Sequence, residues 1–60
     1  MKVTELGNPM GLQVICEIEK WKGAVISLVN SAEAKGIIPS VITFIKIEED
    51  ECSVALWGDF

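Results

Sequence analysis

The chain reads as a small α+β domain, one helix laid across a β-sheet, and three observations predict it. "LQVICEIE" (Leu12–Glu19) alternates apolar and polar residues with a period of two, Ile15 excepted, as a half-buried strand does. "KWKGAVISLVNSAEAKG" carries Trp21, Val25, Leu28, Ala32 and Lys35 at spacings of four, three, four and three, one face of an α-helix. "SVITFIKI" (Ser40–Ile47) and "CSVALW" (Cys52–Trp57) are two further apolar runs joined by four consecutive acids, Glu48, Glu49, Asp50 and Glu51. Mutual repulsion of adjacent carboxylates favours an exposed turn there, so the two runs form a hairpin.

Taken in order, Val3–Leu6 is a short opening segment that can supply a further strand, and "GNPMG" (Gly7–Gly11) is a turn cluster. The first main strand follows. Within the next segment "AVISLV" alone suits a strand, because β-branched residues favour the pleat. The longer window favours a helix over Trp21–Lys35, although Gly23 weakens it by about 1 kcal/mol relative to Ala. Its end is signalled by Lys35 in the last turn, Gly36 at the position of a left-handed cap, and Pro39 three residues beyond. The architecture expected is a two-layer βαββ sandwich, one helix packed on a three-stranded sheet, or a four-stranded one if the opening segment joins. Residues 1–60 form a single compact domain in this scheme.

A four-residue turn pairs Ile47 with Cys52. Ile45 then faces Val54, and Thr43 faces Leu56, on the helix side with Leu12, Val14, Cys16 and Ile18. The opposite, open face collects Ile15, Glu17 and Glu19, then Ile42, Phe44, Lys46 and Glu48, then Ala55, Trp57 and Asp59.

Composition narrows the function classes. Sixty residues bury only about 60% of their unfolded surface, so the core is small. Half of the residues are hydrophobic, which argues against a disordered chain. Nine acids against five lysines give a net charge of −4, with no Arg, His or Tyr. Phosphate affinity comes largely from basic groups, so direct nucleic-acid binding is not expected. The opening residues lack the apolar core of a signal peptide, and no apolar run approaches a membrane span of about 20 residues, so a cytoplasmic protein without membrane association is expected.

No catalytic site is expected. There is no His, no Ser–His or Cys–His pair and no glycine-rich phosphate loop. The contiguous acids point successive side chains apart, unlike the alternate ligands of a calcium loop, so no metal or other cofactor is expected either. Cys16 and Cys52 fall on the inward parity and are expected to be buried free thiols, a bridge between neighbouring strands being the alternative.

The open face mixes Ile, Phe and Trp with carboxylates, where an open sheet face is ordinarily polar. Aromatic groups ringed by charge characterise protein interfaces. The expected function is therefore a small acidic protein-binding module or inhibitor that docks on a basic surface, including that of a nucleic-acid-binding protein. The binding residues expected are Glu17, Glu19, Phe44, Glu48, Glu49, Asp50, Glu51, Trp57 and Asp59. Phage and mobile-element inhibitors such as anti-CRISPR proteins share this size and charge. That is an analogy of dimensions, not of motifs. The alternative expectation is a homodimer or larger homo-oligomer that uses the open face structurally or to hold a small ligand.

Overall fold

The computed structural model describes residues 2–7 and 11–59, so part of the turn expected at Gly7–Gly11 lies outside the described residues. Its elements are β1 (Thr4–Gly7), β2 (Gly11–Glu17), a 3₁₀ turn (Ile18–Lys20), α1 (Trp21–Lys35), β3 (Ile38–Lys46) and β4 (Glu51–Asp59). The helix packs on one face of a four-stranded sheet of order β1-β2-β4-β3, in which every neighbouring pair is antiparallel. This is the α+β sandwich expected, with the opening segment supplying the fourth strand. The hairpin's second strand, β4, inserts between β2 and β3.

The core follows from the β2–β4 register. Leu12 faces Leu56, Val14 faces Val54 and Cys16 faces Cys52. Of these six, all but Cys16 are buried, and the helix closes over them with Ala24, Leu28 and Ala32. The buried helical face is therefore an i, i+4, i+8 row that overlaps the row read from the sequence. Leu28 and Ala32 belong to both. Trp21, expected in that row, is 42% exposed, because the small Ala24 and not the indole lets the helix approach the sheet.

The helix ends as its sequence signals. Gly36 adopts φ 75°. Its N–H bonds Glu33 O at 3.2 Å, and the N–H of Ile37 bonds Ala32 O at 2.8 Å. This is a Schellman closure, with Ile37 buried at 4% as its apolar partner. Lys35, in the last turn, reaches the Glu5 carboxylate and ties edge strand β1 to the helix. The Lys35 hydrogen bond, and then its charge, hold the Glu5 carboxyl below the ordinary carboxylate range.

Beyond strand ends moved by one or two residues, two features differ from expectation. β2 stops at Glu17, and Ile18–Lys20 turn as a 3₁₀ segment, so Ile18 and Glu19 leave the strand. The last ladder bond there is Ile18 N–H to Asp50 O, 2.8 Å, after which the chain must climb into the helix. The second difference is the register of β3. Lys46, not Ile47, faces Cys52; Phe44 faces Val54 and Ile42 faces Leu56. This one-residue slip exchanges the two faces of β3. Its cause is in the turn. The N–H groups of Ile47 and Glu48 both bond Glu51 O, at 2.9 and 3.2 Å, so two residues of one strand oppose one of the other, as in a β-bulge. No described non-glycine residue has positive φ, so the mirror-image turns that close tight hairpins are not used, and the bulge reconciles the turn with the twist of the strands.

Leu28 is fully buried between helix and sheet. Leu28→Ala should destabilise by about 2–5 kcal/mol, most of the stability expected of a domain this size. Urea unfolding measures it, and a shift below about 1 kcal/mol would contradict this packing. Gly11 is required by a different contact: a Cβ there would lie 2.6 Å from two ring carbons of Trp57. Gly11→Ala should cost about 1–3 kcal/mol in the wild-type background and much less beside Trp57→Ala, as a double-mutant cycle would read.

Candidate functional site: an apolar groove and an acidic pole

The register of β3 determines which side chains meet. Ile42 and Phe44 lie on the helix face, not on the open face expected for them. The helix covers β2 and β4 but leaves these two side chains 45% and 50% exposed. Between α1 and β3 runs a groove of about 320 Å³ lined by Ile18, Trp21, Val25, Ile42, Phe44 and Val54. The floor is the fully buried Val54. Across its mouth the Trp21 and Phe44 rings stand edge to face, 6.4 Å between centroids and 80° between planes. Hydrocarbon and aromatic carbon make up its walls, and no ionisable side chain lines it.

The outer side of β3 is a free edge, since the strand is last in the sheet. The alternation of antiparallel hydrogen bonds identifies which backbone groups it offers. Ile47 N–H bonds Glu51 O across the ladder, so the next position, Lys46 opposite Cys52, is a non-bonded pair. Phe44 and Ile42 follow at the same parity. Their N–H and C=O groups therefore point away from β4, toward the open edge, while their side chains line the groove.

Beside the groove lies an acidic pole. Glu48, Glu49, Asp50 and Glu51 form the exposed hairpin tip. The Ile18–Asp50 hydrogen bond draws this tip against the 3₁₀ turn, and Glu17, Ile18, Glu19, Glu49 and Asp50 surround a cleft of about 330 Å³. Glu17 faces Glu51 directly across β2 and β4. By the same alternation this is a non-bonded pair, where side chains come closest, so two like charges are held together. Lys20, 3.8 Å from Glu17, offsets part of the repulsion. Ile18 lines both the cleft and the groove, so the apolar and acidic surfaces are continuous.

The sequence-predicted site residues thus divide. Glu17, Glu19, Glu48, Glu49, Asp50 and Glu51 gather at the pole, with Glu19 brought there by the 3₁₀ turn and not by a strand face. Phe44 borders the groove. Trp57 does not join them: it lies on the opposite face, half-buried over Gly11 and across from Val41. Its indole is occupied in covering a glycine, so the exposed aromatic role expected of it falls to Trp21. Asp59, exposed at the far end of β4 opposite Ile38, is remote from the pole. The sequence places Trp21 and Ile18 on core-facing rows, and no spacing in it distinguishes a groove wall from a core position.

On the open face Gln13 Nε2 donates to Ser53 Oγ at 2.7 Å, which satisfies the one buried polar side chain among the described residues. Cys16 and Cys52 are free thiols, Sγ to Sγ 3.8 Å, facing each other across the β2–β4 ladder. Burial, and then the neighbouring Cys16, push the Cys52 thiol above its ordinary range. Among the described residues no three His, Cys, Asp or Glu side chains are disposed to hold a metal ion. Among the described residues no helix is long and apolar enough to cross a membrane. Comparison with family models, with characterised proteins and with solved structures returned no match.

The pole should cost stability. Glu51→Lys converts the Glu17–Glu51 repulsion into an attraction and should stabilise the fold by about 0.2–1 kcal/mol at low ionic strength, with the gain shrinking as salt rises. Thermal melts at two salt concentrations check this; a loss of stability, or a gain indifferent to salt, would assign the residue another role.

Proposed function

We propose that the chain is a protein-binding module, not a catalyst, and that it captures an apolar segment flanked by basic residues. The observation that carries this is the continuity of two unlike surfaces through Ile18: an apolar groove closed by Trp21 and Phe44, and an acidic pole whose adjoining cleft is lined by four carboxylates. The groove supplies desolvated anchoring contacts, which set the dissociation rate. The pole supplies a negative field, which sets the association rate and its salt dependence. The Glu17–Glu51 juxtaposition supports a role outside folding, since it opposes the fold. The apolar lining supports binding over acid–base chemistry, which needs a titratable group inside the site.

A basic partner includes the nucleic-acid-binding surfaces of other proteins. Inhibition of such a protein, with carboxylates standing where phosphates would lie, is the form of this function that the pole favours. Phage and mobile-element inhibitors, anti-CRISPR proteins among them, act at this scale.

The test uses a synthetic peptide with an apolar core of Val, Leu and Phe and lysines at both ends, against the same core with glutamates. Binding is read by Trp21 fluorescence in a Trp57→Phe background. The lysine peptide should bind and the glutamate peptide should not. Phe44→Ala should weaken binding about tenfold or more, chiefly through faster dissociation. Replacing Glu48–Glu51 by Gln should slow association and flatten its salt dependence without accelerating dissociation. Equal affinity for both peptides, or affinity untouched by Phe44→Ala, would refute the assignment. Capture on the immobilised protein from the native host, followed by mass spectrometry, would then name the natural partner.

A further inference from the structure

β3 is built like an interior strand but lies at an edge. Six of its nine residues are apolar and these fall on both faces, as in strands covered on both sides. Ile38, Val41, Ile42, Phe44, Ile45 and the adjoining Ile47 are each 45–64% exposed. Edge strands are ordinarily blunted by charge, proline or brevity. Here Pro39, with the irregularity beside it, blunts one end and Lys46 the other. Between them runs an uncharged window, Val41–Ile45, with unpaired backbone groups at Ile42 and Phe44.

We infer that β3 is an inter-subunit strand: a second copy of the chain adds its own β3, antiparallel, to this edge, centred on Thr43. The register follows from which groups face outward. Bonded pairs across the new seam must join outward-facing residues of both copies, which restricts the alignment to a few steps of two. Alignment about Thr43 sets Ile42 against Phe44 of the partner, and the reciprocal pair, on the helix face. It sets Val41 against Ile45, twice, on the open face, with the two threonines between. Every side chain in the window then meets a partner of a favourable kind, aromatic with β-branched, β-branched with β-branched, or Thr with Thr. The neighbouring alignments fail. One sets Phe44 against Ser40 at the irregularity; the other sets Ile42 against the Lys46 ammonium.

The area is adequate. Half-exposed large side chains present on the order of 100 Å² each, so these six offer at most roughly 600 Å² per copy, which reaches the low end of a specific interface. The two-fold axis stands perpendicular to the sheet, so both helices lie on the same side and Ile42 and Phe44 of each copy extend the floor of the other's groove. The second copy thereby completes the groove. The two acidic tips are carried to opposite ends of the seam. This inference does not depend on which segment the groove captures.

The experiment is sedimentation equilibrium of the whole chain at low and high salt, without any partner. A dimer is expected, and it should tighten with salt, because two copies of charge −4 repel. A basic partner would show the opposite sign. Ile45→Lys places a charge at the seam on a side chain already 60% exposed, so the monomer fold, checked by circular dichroism, should persist while dimer affinity falls about tenfold or more. Thr43→Cys should form a covalent dimer under oxidised glutathione, whereas Val41→Cys should not, since its opposite is Ile45. A monomer at high micromolar concentration, a dimer indifferent to Ile45→Lys, or equal cross-linking at positions 41 and 43 would overturn the inference. The peptide-binding result stands or falls separately.

Discussion

One carbonyl group, that of Glu51, decides which way β3 faces. It accepts hydrogen bonds from both Ile47 and Glu48, and the extra residue this absorbs shifts every later position of the hairpin by one. A side-chain period of two converts that shift into a complete exchange of faces. Ile42 and Phe44 go to the helix side, Val41, Thr43 and Ile45 to the other. The groove, the mixed apolar edge and the outward-facing amides of Ile42 and Phe44 all descend from this one bonding choice.

The second constraint is the ratio of helix to sheet. One helix of 15 residues, with Ala24, Leu28 and Ala32 as its contact row, approaches closely enough to seal β2 and β4. A single helix is about 10 Å across, whereas four strands span roughly twice that, so full coverage is geometrically out of reach. β1 resolves its exposure by being short and by holding Glu5 to Lys35. β3 is long and mostly apolar, and no described element covers its outer edge.

Much of this fold was legible in the residues. The period of four and three in α1, the Lys35–Gly36 ending and the alternation in β2 are local signals, each satisfied by contacts within or next to the element. What the sequence did not disclose was non-local or sub-residue in scale. The bulge depends on which amide reaches Glu51, and a turn of four acids carries no glycine to mark it. Ala24 does not stand out as a member of the helix row because Trp21 outweighs it in any hydrophobic count, although close packing favours the smaller residue. Trp57 was misread because Gly11, the residue it covers, belongs to a distant turn and leaves no trace beside it in sequence. The acids were identifiable as a group, but their convergence with Glu17 and Glu19 required the β2–β4 pairing.

The bond from Ile18 N–H to Asp50 O has a mechanical meaning. Ile18 is the shared lip of cleft and groove, and Asp50 is the apex of the charged loop. A hairpin tip of four acids would ordinarily be the loosest part of such a molecule. Here it is bonded to the residue that opens the 3₁₀ turn, so displacing the charged loop strains a bond to the lip of the apolar groove. Charged and apolar surface thus meet at a single backbone bond.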